Sequence, residues 1–259
     1  MKFIFTASAI VISCGLLVTG CSSSKKPESS NQAMEIIETR SRQDKMKSVI
    51  AIDGHAGSGK GTLAEKLAKR YGFAHFDTGI LYRYVAYKGL SPIEVEKLSL
   101  DDIFNDLKEI PQEILRSDQV GAKTAEMAKL PEIRRYILRL QRDFIASPGK
   151  YAGTVMEGRD IGSVVVPDAV CKLFVTARLD VRARRRLAFL KQKNPNVTYE
   201  EVYENMKKRD FQDENRKESP LVCNSSYSII DTSDETVDES FDKASKIVAK
   251  NLYQYSKGD

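Results

Sequence analysis

Residues 54–62 of this chain are Gly54-His55-Ala56-Gly57-Ser58-Gly59-Lys60-Gly61-Thr62, and they directly follow the apolar run Ser48-Val49-Ile50-Ala51-Ile52-Asp53. Such a segment between a strand and a helix predicts a phosphate-binding loop, because its consecutive backbone N–H groups can point at a polyphosphate. Lys60 would place a positive charge on the terminal phosphates. Gly61 occupies the position usual for a magnesium-binding Ser or Thr, and Thr62 comes one residue later.

The pattern around this loop predicts an α/β fold. Apolar runs at 73–76, 155–156, 170–175 and 229–231 alternate with helical segments, the first from Lys60 to Tyr71 with Gly72 as its stop signal. With the strand before the loop, these runs make a five-stranded parallel sheet covered by helices on both faces. Further helices are expected at 119–129, 131–146, 181–193 and 234–252, and one opens at the capping box of Thr198 and Glu201 and runs to about Asp213.

Composition favours a soluble domain that handles a small anion. The 259 residues are 41% hydrophobic and 30% charged, with a net charge of +5. Because the arginines cluster at a few sites and form no basic stripe, no nucleic-acid partner is expected. Only two histidines are present, which excludes a His-rich metal site. Cys171 lies in an apolar run and is expected to act as a small hydrophobe, while a Cys171–Cys223 disulfide stays open.

The N-terminal segment has a different character. Met1-Lys2 precedes an apolar stretch from Phe3 to Val18, and the following Thr19-Gly20-Cys21-Ser22 resembles the lipobox of a bacterial lipoprotein. We therefore expect a signal-like segment at 1–21 and a disordered polar linker at 22–45. A domain at 46–259 would follow them.

These two parts of the chain predict different locations. A loop for a nucleoside triphosphate has little use where that nucleotide is scarce, so the domain is expected to be cytoplasmic. The alternative is a lipid anchor through Cys21, and only in that case would a membrane be a partner.

Charged residues follow two of the predicted strands. Asp77-Thr78-Gly79, with Arg83 on the next helix, follows the second strand, and Glu157-Gly158-Arg159-Asp160 follows the third. Ligands of open parallel sheets bind beyond the carboxyl ends of the strands. These residues are therefore expected to line the active cleft, with Thr78 as the N-cap of its helix.

Two helices carry further candidates. Arg209, Asp213 and Arg216 recur at i, i+4 and i+7, which predicts one shared helix face; a solvated salt-bridge ladder is the alternative. Arg182, Arg185 and Arg186 share a face of the 181–193 helix. Arginines that move onto a transferring phosphoryl group are expected in a lid, and a solvated basic helix is the alternative.

These motifs together resemble bacterial cytidylate kinases. The similar segments are Gly57–Thr62, Asp77–Arg83, Glu157–Val165, and Arg209 through Arg216 with Pro220-Leu221, and the similarity covers about Lys47 to Leu252. The resemblance implies the P-loop nucleoside monophosphate kinase fold, with small helical segments for acceptor binding at 89–146 and for a lid at 178–198. It also implies transfer of phosphate from ATP to CMP or dCMP with Mg²⁺. The chain is expected to be a monomer without a metal site of its own.

The resemblance also implies roles for individual residues. The loop 54–62 with Lys60 should hold ATP, and Asp160 should accept a hydrogen bond from cytosine N4, where uracil offers only a carbonyl. Ala125 stands where the family often has a serine near the base. The expected CMP-binding residues are Thr78, Arg83 and Arg159 for the phosphate, Arg134 and Asp160 for the base, and Arg209, Asp213 and Arg216 for ribose and phosphate. The expected catalytic residues are Lys60, Arg182, Arg185 and Arg209.

Two alternative functions stay open on the sequence alone. One is a kinase of another small acceptor, against which Asp160 argues. The other is a lipid-anchored nucleotide-binding protein without turnover, which Cys21 motivates.

Overall fold

The structure, a computed structural model, describes residues 48–192 and 194–257. The signal-like segment and the linker expected at 1–45 lie outside the described residues. Within the described residues no helix is both long and apolar enough to cross a membrane. Cys171 is buried and Cys223 is exposed, and both are free thiols. The expectation that Cys171 acts as a buried small residue is confirmed, and the open disulfide is not formed.

Five parallel strands form one sheet in the order β2-β3-β1-β4-β5. Their bounds are β1 Val49–Gly54, β2 Ala74–Asp77, β3 Thr154–Gly158, β4 Cys171–Thr176 and β5 Ser228–Asp231. The chain passes to one side of β1 for β2 and β3 and to the other side for β4 and β5. The carboxyl end of β1 is therefore the point where the strand order reverses, which is the usual ligand position in such sheets.

Helices cover both faces of this sheet, as predicted. Their bounds are α1 Lys60–Tyr71, α2 Gly79–Lys88, α3 Pro92–Lys97, α4 Leu100–Glu109, α5 Gln112–Leu115, α6 Asp118–Met127, α7 Pro131–Ala146, α8 Leu179–Lys191, α9 Tyr199–Asn215 and α10 Val237–Lys257. A π-helical turn at Ile161–Val165 follows β3. The segment 89–146, expected to bind the acceptor, contains α3 to α7.

The alternation of side chains along β1 explains the two hydrophobic cores. Val49 and Ala51 point into one core, which α2 to α7 cover. Ile50 and Ile52 point into the other core, which α1 and α10 cover. Because both faces of β1 are buried, its sequence is continuously apolar up to Asp53.

Local signals set most of the helix bounds. Gly72 ends α1 in the left-handed conformation, with φ 62°, and the Thr198–Glu201 capping box opens α9, both as predicted. Helix α10 begins at Val237, three residues later than predicted. The physical reason is a second capping box, in which Glu239 N–H donates to Thr236 Oγ1 at 3.2 Å and Thr236 N–H donates to Glu239 Oε2 at 2.8 Å.

Candidate functional site

The glycine-rich loop leaves β1 at the point where the strand order reverses and leads directly into α1. Gly54, Gly57 and Gly59 have φ values of 141°, 73° and 90°, which L side chains rarely adopt. Lys60, the first residue of α1, is only 6% exposed, and its Nζ donates to His55 O at 2.7 Å. The loop thus surrounds the lysine ammonium at a helix N-terminus, an arrangement that favours phosphate groups.

Gly54 is required by space as well as by its φ. A Cβ at this position would lie 1.9 Å from the carbonyl oxygen of Val175 in β4, whereas a Cβ at Gly59 would meet no heavy atom within 4 Å. We expect Gly54→Ala to lower the free energy of unfolding by about 2 kcal/mol more than Gly59→Ala does, because only the first substitution adds an overpacking cost to the strained φ. Urea denaturation of both variants measures the difference, and equal losses would contradict the explanation.

Lys60 lies among other positive charges. Burial and the guanidinium groups of Arg159 and Arg209 lower the pKa of Lys60 to about 7, although the carboxylates of Glu157 and Asp77 oppose this change. A bound anion stabilises the charged form of a buried ammonium whose pKa is lowered by burial and by neighbouring guanidinium groups. The environment of Lys60 therefore favours a polyanionic ligand.

The positive charges of the cleft arginines also lower one another's pKa. Burial and the charge of Arg209 lower the pKa of Arg83 to about 10, and burial with Arg159 lowers the pKa of Arg209. Arg83 donates to Leu115 O at 2.7 Å. Among the described residues, Arg209 has no hydrogen-bond or ion-pair partner. The cleft accordingly holds guanidinium groups that a ligand phosphate can bind.

Arg159 and Thr78 lie beside these groups. Burial lowers the pKa of Arg159, but the carboxylates of Asp213, Asp77 and Glu157 together more than offset it, so the pKa is raised. Arg159 Nε donates to Asp213 Oδ2 at 2.9 Å. Thr78 precedes α2 at the N-cap position, but its side chain does not cap the helix. The prediction of a side-chain cap is wrong because Thr78 Oγ1 donates across the sheet to Glu157 O at 2.8 Å.

A cavity of about 280 Å³ opens where the loop meets the arginine-bearing helices. Its lining residues are Gly57, Arg83, Arg116, Arg185, Arg186 and Phe189. Arg116, at the end of α5, also pairs with Asp77, with 3.0 Å between Nη2 and Oδ2. The cavity brings together the phosphate loop, the segment expected to bind the acceptor and the expected lid.

A second group of residues lies next to the residues that line this cavity. Arg134 on α7 forms an ion pair with Asp160, and the two residues are 8% and 7% exposed. Arg134 also donates to Ala128 O at 3.2 Å, and its guanidinium carbon lies 5.6 Å from the centre of the Tyr82 ring. Burial and the charge of Arg134 lower the pKa of Arg216, which places Arg216 near the same pair. A charged pair beside an aromatic ring can offer hydrogen bonds and a flat surface to a planar base.

Arg216 directly follows α9 and keeps the predicted helical spacing from Asp213, because its N–H still donates to Gln212 O at 3.1 Å. Helix α9 ends at Asn215, and Arg216 is extended, with φ −66° and ψ 144°. The hydrogen bond from Leu221 N–H to Asp213 O, at 2.8 Å, folds the chain back. Arg216 Nη1 lies 3.6 Å from Asp213 Oδ1, as expected for residues three apart on one helix face.

Of the arginines expected in the lid, Arg182 contacts the loop directly and Arg185 reaches it through Thr232. Arg182 is 4% exposed; it pairs with Asp210 at 2.7 Å and donates to Ala177 O at 2.7 Å and to Ala56 O at 3.3 Å. Arg185 donates to the hydroxyl and the carbonyl of Thr232, and the Thr232 hydroxyl donates to Ser58 O at 3.0 Å. In this conformation both arginines brace the phosphate loop.

Sequence reasoning did not select Arg116 or Asp53; it expected Glu157 to line the cleft and named Tyr82 only within the segment Asp77–Arg83. Arg116 reaches the site only because α5 packs beside the loop, and no local pattern marks it. Glu157 lies against the loop, with its Oε1 3.2 Å from where a Cβ on Gly61 would be. Asp53 carried a signal, since it is a carboxylate at the end of an apolar strand, and it is fully buried.

Comparison with known proteins identifies one family. The family model described as cytidylate kinase matches residues 50–250. A protein named cytidylate kinase from Caldanaerobacter subterraneus subsp. tengcongensis is 42% identical over 217 residues, covering 78% of this chain and 95% of the relative. Relatives with the same name from Paramagnetospirillum magneticum and Azorhizobium caulinodans are 41% identical over 214 residues and 42% identical over 205 residues, each covering 78% of this chain and 98% of the relative.

Proposed function

The chain belongs to the cytidylate kinase family, whose members are ATP-dependent phosphotransferases, and we propose that it transfers the terminal phosphoryl group of ATP to CMP or dCMP. The products are ADP and CDP or dCDP. The observation that carries the proposal is the phosphate-binding loop that surrounds the buried Lys60 ammonium, beside the guanidinium groups of Arg159 and Arg209. The phosphate groups of the two nucleotides bound in this cleft would neutralise the positive charge of Lys60 and these arginines.

In the proposed reaction, the phosphates of ATP and of CMP approach Lys60 and the cleft arginines from two sides. We assign the ATP tail to loop 54–62 with Lys60, and the CMP phosphate to Arg83, Arg159 and Thr78. The fork of Arg83 matches a phosphate bidentately. Arg209, which lacks a partner among the described residues, is placed to neutralise charge on the transferring group, and Asp213 and Arg216 would contact ribose and phosphate. Such transfer depends on positioning and charge, because the acceptor phosphate already supplies an anionic oxygen.

The Arg134–Asp160 pair is assigned to the cytosine edge. A carboxylate accepts from the exocyclic amine of cytosine but faces the carbonyl of uracil unfavourably. Tyr82 flanks the pair and would contact the face of the base. Thr124 does not replace the serine missing at Ala125, because its hydroxyl donates to Val120 O at 2.7 Å within α6.

We assign Arg182 and Arg185 to closure of the lid over the transferring phosphoryl group. Their present bonds reach Ala56 O in the phosphate loop and Thr232, which itself bonds Ser58 O. These contacts keep both guanidinium groups close to the phosphate-binding loop. A short movement of the two side chains would therefore bring them to a bound phosphate.

The donor set fits Mg²⁺ bound together with ATP. Mg²⁺ prefers one or two carboxylates with substrate phosphates, and the carboxylates of Glu157 and Asp77 both act on Lys60. Across 48–192 and 194–257 no three His, Cys, Asp or Glu side chains cluster to hold a metal. Glu157 and Asp77 would therefore orient the hydrated ion, which when bound would neutralise charge on the phosphates.

A panel of nucleoside monophosphates tests this function. With ATP and Mg²⁺, we expect the full chain to release ADP fastest with CMP and dCMP, and more slowly with UMP, because only cytosine donates to Asp160. A coupled assay of ADP release measures the rates. Faster turnover of AMP or dTMP would contradict the proposal, and so would nucleotide binding without turnover of any pyrimidine monophosphate.

A further inference from the structure

Asp53 has a buried carboxylate that takes no part in the proposed phosphoryl transfer. It lies one residue before Gly54, is 0% exposed, and accepts three hydrogen bonds. Asp53 Oδ1 accepts from Ile161 N–H, and Oδ2 accepts from Gly162 N–H and from the Tyr227 hydroxyl, each at 2.8 Å. Burial raises the pKa of Asp53 to about 6, opposed by the N–H groups of Gly162 and Ile161, so the group is ionised at pH 7 and above.

Two of its three donors directly follow Asp160. Asp160 is the N-cap residue of the π-helical turn, with φ −143° and ψ 22°, and Ile161 and Gly162 are the first residues of that turn. The side-chain cap is absent at Asp160 itself. The carboxylate of Asp53 therefore fixes the two peptide groups that follow Asp160. The orientation of these groups sets the direction of the Asp160 side chain.

The third hydrogen-bond donor, the Tyr227 hydroxyl, connects Asp53 to the phosphate-binding loop. The ring of Tyr227 packs edge-to-face on Phe174, with 6.1 Å between centroids, and Phe174 packs edge-to-face on His55 in the loop, at 5.7 Å. Gly162 leaves room for the Tyr227 hydroxyl, since a Cβ there would lie 2.8 Å from that oxygen. The position of Asp53 is thus fixed from the strand, the turn and the loop at once.

We propose that Asp53 is a positioning residue for base selectivity: its carboxylate holds the Ile161–Gly162 backbone so that Asp160 meets the cytosine edge. The inference rests on the proposed function, because it takes Asp160 as the group that recognises the base. It predicts that a change at Asp53, which touches no substrate, alters the choice between CMP and UMP.

The variant Asp53→Asn tests the inference in the full chain. The amide keeps one accepting oxygen, but its NH₂ group faces Gly162 N–H, so one backbone donor loses its acceptor. We expect KM for CMP to rise about tenfold with kcat within threefold of wild type, and KM for UMP to change less than threefold. The Kd of a non-hydrolysable ATP analogue is expected to stay within twofold. Steady-state kinetics with both acceptors and calorimetry with the analogue give these values.

Two further variants keep the test decisive. Tyr227→Phe removes one neutral donor to Asp53 and should shift the CMP-to-UMP preference the same way by about threefold. Thr154→Val is the matched control, because Thr154 is equally buried in β3 and its hydroxyl has no partner among the described residues; its preference should equal that of wild type.

The outcomes separate the inference from the function on which it rests. Equal losses with CMP and UMP, or a tenfold weaker ATP analogue with unchanged preference, would assign Asp53 to the donor loop alone and overturn the inference. If Asp53→Asn does not fold, an unchanged preference in Tyr227→Phe overturns it. A wild-type protein that does not phosphorylate CMP would overturn the proposed function first.

Discussion

Replacing Lys60 by alanine should lower kcat about a thousandfold and leave the fold intact. The Lys60 ammonium donates to His55 O in the loop at 2.7 Å. A phosphate group bound in the loop would accept this hydrogen bond in place of the His55 carbonyl. Removing one preorganised donor from the transition state costs about 10² to 10³ in rate. The ADP-release assay with CMP at saturating ATP measures the loss, and thermal unfolding reports on the fold.

Lys69→Ala is the matched control, because Lys69 is an exposed lysine on the same helix α1. It removes the same charge and the same side chain, so its activity should stay near that of wild type. Near-normal turnover in Lys60→Ala would exclude Lys60 from the transfer step.

Lys60 also predicts a proton uptake that is independent of turnover. With its pKa at about 7, roughly nine-tenths of the Lys60 side chains are neutral at pH 8, and a bound polyphosphate raises the pKa again. Binding of an ATP analogue at pH 8 should therefore take up close to one proton. Calorimetry in buffers of different ionisation enthalpy measures it, and the uptake should vanish in Lys60→Ala. The same uptake in both proteins would assign the proton to another group.

The parts of the fold that the sequence predicts are those with local causes. The continuous apolar run before Gly54 follows from burial of β1 on both faces, and Gly72 ends α1 because glycine readily adopts a positive φ. The Thr198 capping box likewise needs only residues three apart. Each of these signals involves neighbours in sequence, so a single chain is enough to find them.

The sequence does not predict contacts between side chains and distant partners. Thr78 has the composition of an N-cap, but the carbonyl of Glu157 on the neighbouring strand competes for its hydroxyl. The contact of Arg182 with Ala56 O likewise joins residues 126 positions apart, and no local pattern marks it. Periodicity cannot anticipate contacts between residues that are far apart in the sequence.

The base-recognition prediction gives the second large effect. Asp160→Asn should lower kcat/KM for CMP about a hundredfold and lower kcat/KM for UMP less than tenfold. One good base contact contributes about 1–3 kcal/mol of discrimination, and an asparagine amide can donate to the uracil carbonyl. Asparagine also keeps an oxygen for Arg134, so we expect a smaller loss of stability than the ~3–5 kcal/mol typical of breaking a buried pair.

Asp180→Asn is the matched control for this second variant, because Asp180 pairs with Arg184 four residues away on the exposed side of α8. It removes one carboxylate of an Arg–Asp pair without touching the cleft, so its kcat/KM for both acceptors should equal that of wild type. Kinetics must be measured well below the unfolding temperature of each variant, since Arg134 stays buried when its partner changes. If CMP and UMP lose activity by the same factor in Asp160→Asn, the pair with Arg134 stabilises the site without recognising the base.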